Sequence, residues 1–346
     1  MDFENSGPAD RRDKKRTSGQ DSAIETRAGE RADGPALRSA LGHTRDGKPL
    51  SNNRAPAPDL APWIARVYAT KVDLAEGTSI RCGMLADTPV LRVLFSGDWT
   101  AETRDGYGRY GPSALFFGPQ TKRMAVSVSG SFATVGVALK PGAVAALKGP
   151  EMADTLDRII LYDHIYGKEE WGSSEKLIEW LDPEAPVERW LAVAETLMRQ
   201  VVSLTGGKTP SPVIEAFDKA VFANPNLEIG AFAEEHDIER RSLERQIKRA
   251  YGQTARQVLR RARALDIAAH LQGVADDAEA EEAALRFFDQ SHMIREFRAF
   301  FGMTPRQFAQ TSQPFMTLTL EARQSRRLEV LGRARPAGDY PWRIDD

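Results

Sequence analysis

The chain has 346 residues, which at about 150 residues per domain fits roughly two domains with cores of their own. Lys and Arg number 47 against 49 Asp and Glu, so the net charge of −2 gives no chain-wide sign of a polyanion partner and any nucleic-acid patch must be local. The single cysteine, Cys82, excludes an intramolecular disulfide framework or a zinc site built on two thiolates, and no run approaches the ~18 apolar residues of a membrane span.

The leading residues, MDFENSGPADRRDKKR, lack the apolar centre of a signal peptide, so an unexported, cytoplasmic protein without membrane contact is expected. Residues 1–61 are rich in Gly, Pro, Ser, Asp and Arg, and Phe3, Ile24, Leu37, Leu41 and Leu50 follow neither helical nor strand period. So little apolar surface does not offset the ordering entropy, and the stretch reads as a disordered tail. Arg11, Arg12, Lys14, Lys15 and Arg16 are interleaved with acids and read as solvated.

From Trp63 to Leu139 the texture changes to short β-prone runs broken by Gly, Pro and Asp: WIARVYATKV, PVLRVLFSG, ALFFGPQ, MAVSVSG and FATVGVAL. Five or more such strands predict a small barrel or sandwich, and a mainly β barrel over residues 62–165 is the expected form. That segment holds no histidine before Leu139, so no catalytic metal is expected in it, and neither catalytic residues nor a cofactor are assigned. Cys82, without a neighbouring His or Cys, reads as a small buried hydrophobe, and His164 and His236 as structural residues. Arg92, Trp99, Tyr110 and Gln120 are the candidate contacts for a small-molecule effector, with Arg104, Tyr107 and Arg123 as further polar or aromatic groups.

Residues 166–210 read as a helical connector. In PVERWLAVAETLMRQVVSL, Val187, Leu191, Ala194, Met198 and Val201 share one stripe, which serves either as a homodimer seam or as a face docked on the chain's own strands. TGGKTPSP, Thr205 to Pro212, reads as a linker.

The last third carries an internal repeat. Asp237 to Val258 aligns without gaps on Phe287 to Phe308, and Arg245, Gly252, Thr254, Arg256 and Gln257 recur as Arg295, Gly302, Thr304, Arg306 and Gln307. Each copy predicts a helix stopped by its glycine and a second helix opened by a capping box, Thr254 with Gln257 and Thr304 with Gln307. Short amphipathic segments precede both, at Leu227, Ile229, Phe232 and Ala233 and at Ala283, Ala284, Leu285 and Phe288, which is helix-turn-helix spacing. On the exposed faces stand Arg240, Arg241, Ser242, Arg245, Lys248 and Arg249 in the first copy and Gln290, Ser291, His292, Arg295 and Arg298 in the second. These are groups that reach base edges and phosphates of double-stranded DNA. Nine basic residues between Arg240 and Arg263 against the one acid Glu244 argue for DNA contact rather than a merely solvated face.

FFDQSHMIREFRAFFGMTPRQF resembles the signature of AraC/XylS transcription regulators, departing at Phe287, where a Gly is common, and in the acidic approach ADDAEAEE. The resemblance spans about Pro212 to Gln313 and implies an all-α domain with two helix-turn-helix units joined by a helix from Thr254 to about Leu271. VLRVLFSGDW and FFGPQT are similar to the cupin-like sensor domains that precede this module. The expected molecule is a multidomain α+β chain: tail 1–61, sensor 62–165, connector 166–210, DNA-binding domain 211–313 and C-terminal tail 314–346, in which Leu318 to Leu331 can form a helix. It would be a sequence-specific, effector-responsive regulator, nucleoid-associated when bound and touching RNA polymerase if it activates. The alternative is an enzyme with a catalytic barrel and an accessory DNA-binding domain.

Overall fold

The computed structural model describes residues 38–39, 42–44, 47–166, 172–275, 290–333 and 340–344. The chain divides into two units, residues 1–33 and 34–346, and every described residue belongs to the second. The basic cluster from Arg11 to Arg16 and most of the acidic approach, 276 to 282, lie outside the described residues.

The strands are β1 (Arg38–Ser39), β2 (His43–Thr44), β3 (Asn52–Arg54), β4 (Ile64–Asp73), β5 (Ser79–Met84), β6 (Val90–Leu94), β7 (Asp98–Thr103), β8 (Gly106–Tyr110), β9 (Ser113–Phe117), β10 (Met124–Ser129), β11 (Phe132–Leu139) and β12 (Ile159–Leu161). All but β2 pair in two antiparallel sheets. One runs β1-β4-β11-β6-β9-β12 with β3 also on β4, and the other runs β5-β10-β7-β8. The mainly β domain is thus built from two facing sheets that do not close into one ring. Between them lie Trp99, Phe117, Val128 and Phe132. β4 is central and covered on both faces, which is why its sequence IARVYATKV reads as nearly continuous apolar rather than alternating.

Residues 47–61, expected to lie in a disordered tail, are part of the fold. β3 pairs with β4 in register Asn52 to Ala69, and Leu50, at 0% exposure, fills a core made by helices more than two hundred residues away. Sparse apolar residues give no local period, yet one of them completes a distant core.

Two short helices, α1 (Ala143–Ala146) and α2 (Met152–Thr155), lie between β11 and β12, and α3 (Tyr162–Ile165) and α4 (Ser174–Leu181) follow β12. Then comes α5 (Val187–Thr205). Its stripe of Leu191, Ala194, Met198 and Val201 is buried against the larger sheet, in contact with β4 and β11. The stripe is therefore a docking face, and Leu191 and Met198 are not free to form a seam between chains. The linker expected from Thr205 to Pro212 is pinned at two points, by Trp63 Nε1 donating to the Lys208 carbonyl at 2.8 Å and by Ser211 Oγ donating to Gln246 Oε1 at 3.0 Å.

The remaining helices are α6 (Pro212–Ala223), α7 (Ile229–Glu235), α8 (Arg240–Tyr251), α9 (Ala255–Leu271), α10 (Gln290–Phe301), α11 (Pro305–Gln310) and α12 (Pro314–Val330), followed by β13 (Arg343–Ile344) on β2. The stretch after Gln313 is not a loose tail. α12 is a helix buried along most of its length, because its charged residues Glu321, Arg323, Arg326 and Arg327 are themselves buried in ion pairs and hydrogen bonds.

Candidate DNA interface

α7 and α8 form the first helix-turn-helix. Glu228 caps α7 by accepting from the Ala231 amide at 2.6 Å, and Phe232 and Ala233 bury its inner face. The turn passes through Asp237 at φ +48°, a left-handed conformation that a short polar side chain tolerates better than most. α8 buries Leu243, Ile247, Ala250 and Tyr251 against α6, α7 and α9. This fixes its rotation and leaves Arg240, Arg241, Arg245, Lys248 and Arg249 exposed on the other side, with Ser242 half-buried. Arg240 holds Glu244 at 3.1 Å one turn on, so the single acid of this face is neutralised locally.

Gly252 ends α8 at φ +69°. A Cβ there would also lie 2.8 Å from the Met152 carbonyl oxygen of α2, so the glycine is required by both its backbone and its neighbour. Thr254 and Gln257 then form the expected capping box, and Thr304 and Gln307 form the second. α9 is the joining helix.

In the second unit, Ala283, Ala284, Leu285 and Phe288 lie outside the described residues, as does the side chain of Gln290. α10 buries Glu296, Phe297, Phe300 and Phe301, which leaves Ser291, His292, Arg295 and Arg298 exposed. Phe297 stacks on Phe301 at 4.3 Å and meets Phe308 of α11 edge-on at 5.3 Å.

Glu296 was not singled out in the sequence. Its carboxylate takes Arg260 Nε at 2.6 Å and Arg263 Nη2 at 3.0 Å, so two cations of the joining helix grip α10. Burial pushes this carboxyl up, but the hydrogen bonds and charges of Arg263 and Arg260 outweigh it and hold it below its ordinary value. An acid inside an otherwise apolar and basic helix was the only signal for it.

The β domain touches both units. Arg261 of α9, 1% exposed, donates to the carbonyls of Gln120 at 2.9 Å and Asp87 at 3.0 Å. The Arg123 amide donates to the Phe300 carbonyl near the end of α10 at 2.7 Å.

A cavity lies between the two sheets and is walled by α12. Arg92, Trp99 and Gln120 are at its wall, and Tyr110 is not. Of the other groups considered, Tyr107 is exposed and Arg123 is turned toward Gln313 at 3.2 Å. Arg92 donates to the Tyr68 hydroxyl through Nε and Nη2 at 2.9 and 2.8 Å and lies over the Phe117 ring at 4.7 Å. Gln120 is committed to backbone, accepting from the Ala86 amide and donating to the Gly118 carbonyl. Trp99 Nε1 donates to the Ser96 carbonyl at 3.0 Å, leaving its ring face for packing. Tyr68, Phe315, Arg323 and Arg326 line the same cavity and were not anticipated. Burial pushes the Cys82 thiol up to about 11, so it stays protonated as a packing group. Among the described residues, no group of three or more His, Cys, Asp or Glu is placed to hold a metal.

Residues 232–311 match the helix-turn-helix domain family, and residues 52–160 match a domain of unknown function, DUF6597. The chain carries a helix-turn-helix domain and is a DNA-binding transcription regulator. No curated protein matches the regulator. Its structure is similar to that of ToxT from Vibrio cholerae, 11% identical, covering 70% of this chain and 96% of that one at a TM-score of 0.41. It is also similar to the AraC-like transcriptional activator CuxR, 13% identical over 68% and 90% at 0.28. A third likeness is the C-terminal domain of the response regulator AraT from Geobacillus stearothermophilus, 22% identical over 30% and 88% at 0.26. No described helix of the regulator is long and apolar enough to cross a membrane.

Proposed function

We propose that the regulator is effector-responsive: α8 and α10 read DNA through Arg241, Arg245, Lys248 and Arg249 and through Ser291, His292, Arg295 and Arg298, while a small molecule in the inter-sheet cavity changes how they are presented. The observation that carries this reading is the cavity itself, enclosed by the sheets on one side and on the other by α12, which is packed on the joining helix. The β domain acts as a binding module rather than an enzyme, in the cytoplasm. Residues 314–330 belong with the DNA-binding half, because α12 completes the core of the second unit. Two chains would occupy half-sites related by a helical turn of DNA, about 34 Å, with their contact on a surface other than the α5 stripe. An activating role would bring RNA polymerase against the bound regulator.

The charges at the cavity suggest the effector's chemistry. Arg66 is paired with Glu329, Arg323 with Asp87 and Asp266, and Arg326 with Asp218. Arg92 has a hydroxyl and an aromatic face, and no carboxylate among the described residues pairs with it. An apolar body carrying one acidic group supplies what that guanidinium lacks.

The test uses the full chain, a DNA duplex selected by it from a random-sequence pool, and decanoic acid as probe with 1-decanol as the uncharged control. Decanoic acid is expected to raise the melting temperature and change the affinity for the selected duplex, with Arg92→Met removing both effects. Equal effects of acid and alcohol would contradict the acidic class. No change in DNA affinity on occupying the cavity would contradict effector response.

A further inference from the structure

α12 starts immediately after the second unit, beyond the residues that match the helix-turn-helix family, and it has two working faces. Toward the cavity it presents Phe315, Leu318, Thr319, Ala322, Arg323 and Arg326. Phe315 packs on Trp99 at 5.3 Å and Phe132 at 5.7 Å, across the space between the sheets. Its opposite face puts Met316, Leu320 and Leu328 into the core that holds Leu265 of α9 with Phe297 and Phe301 of α10.

Two arginines at the cavity wall continue to the DNA-binding units. Arg326 donates to Asp218 of α6, and the other oxygen of that carboxylate accepts from the hydroxyl of Tyr251, the last residue of α8, at 3.2 Å. Arg323 donates to Asp266 of α9 at 2.7 Å and to Asp87 of the β domain at 2.9 Å. One and two turns before Asp266, Arg263 and Arg260 hold Glu296 of α10. A polar chain therefore runs from the cavity wall to α8, and a second runs to α9, the helix whose Arg260 and Arg263 hold α10.

We propose that α12 is the element through which an occupant of the cavity acts on both reading helices, with Arg326 as its tether to α8 and Arg323 as its tether to α9 and, through it, α10. This deepens the effector reading and rests on the cavity being the effector site. An occupant bears directly on the α12 side chains at the wall. Buried ion pairs resist separation because each charge left behind would be desolvated without a partner, so a shift of α12 carries Asp218 and Asp266 with it.

The test needs an occupant whose presence is certain, and Val126→Trp, which fills the cavity from β10, provides one in the full chain. Affinity for the selected duplex is measured with and without Val126→Trp, in the otherwise unchanged chain and in Asp218→Asn/Arg326→Met. That pair removes both charges together and leaves an amide oxygen at position 218 to accept from the Tyr251 hydroxyl. Filling the cavity is expected to change affinity by about fivefold or more in the unchanged chain and by less than about twofold in the severed one. An equal change in both would overturn the role of α12 while leaving the effector site intact. No change in either would overturn the effector site and the proposal with it. Should the severed variant fold poorly, hydrogen exchange of the Val126→Trp chain decides. Altered protection in α12 and α8 is expected, and a changed DNA affinity with α12 and α8 protection unaltered would overturn the proposal.

Discussion

Arg261 of the joining helix donates to the carbonyl oxygen of Gln120 in the β domain at 2.9 Å, across 141 positions of sequence. It belongs to a basic stretch whose charge suggests DNA, yet it binds the chain's own backbone, and Arg260 and Arg263 of the same stretch bind Glu296. The cations left for DNA are Arg240, Arg241, Arg245, Lys248, Arg249 and Arg256, all exposed. Arg261→Met should then lower stability in urea by about 1 to 3 kcal/mol, since two buried carbonyls lose their donor. It should leave the salt dependence of DNA binding unchanged, because no phosphate contact is lost. A flattened salt slope would place Arg261 at the DNA.

Glu296 gives the second unit an acid limit. Its folded pKa lies below that of an unfolded glutamate, about 4.3. The carboxylate therefore contributes stability that is present in full above that value and is lost as pH falls through the lower folded one. Unfolding free energy followed from pH 7 to pH 3 should show this loss in the unchanged chain and less of it in Glu296→Gln. Identical pH profiles would mean that the grip of Arg260 and Arg263 contributes nothing.

The two helix-ending glycines should differ. Gly252 and Gly302 have similar φ, +69° and +73°, so each alanine variant bears the left-handed cost of about 1 to 2 kcal/mol. Only Gly252 faces the Met152 carbonyl, whereas nothing lies within 4 Å of a Cβ at Gly302. Gly252→Ala should be the more destabilising in urea denaturation. It should also loosen α2, visible as faster hydrogen exchange around Met152.

A fragment ending at Gln313 should not hold its second unit. The core around Phe297, Phe301 and Phe308 is completed by Met316, Leu320 and Leu328 of α12 and by Leu50, Leu85 and Trp342. In residues 211–313 the first unit is expected to keep protected amides while α10 and α11 exchange freely. Uniform protection would show that α12 is dispensable for the core.

The contrast between these elements shows what sequence can carry. Thr254 with Gln257, Thr304 with Gln307, the glycine stops and the apolar stripe of α8 are local patterns, and each produced the element it implied. The helix of α12 was legible from Leu318 onward, but its burial was obscure because Glu321, Arg323, Arg326 and Arg327 interrupt its apolar period and are buried only by virtue of partners far along the chain. Leu50 was obscure for the same reason, since the core it fills is assembled by other segments. At the candidate site, the exposed faces of α8 and α10 were legible from periodicity, whereas Glu296 and the cavity wall of Phe315, Arg323 and Arg326 depend on tertiary contacts.

The central claim is that both repeated units read DNA sequence. Its most direct test is the affinity of the full chain, Arg245→Ala and Arg295→Ala for the selected duplex and for a scrambled one, at two salt concentrations. The unchanged chain should prefer the selected duplex by about a thousandfold or more. Each variant should lose about 1 to 3 kcal/mol on the selected duplex and much less on the scrambled one. Equal affinity of the unchanged chain for both duplexes, or an Arg295→Ala loss that is the same on both, would contradict sequence reading by two units.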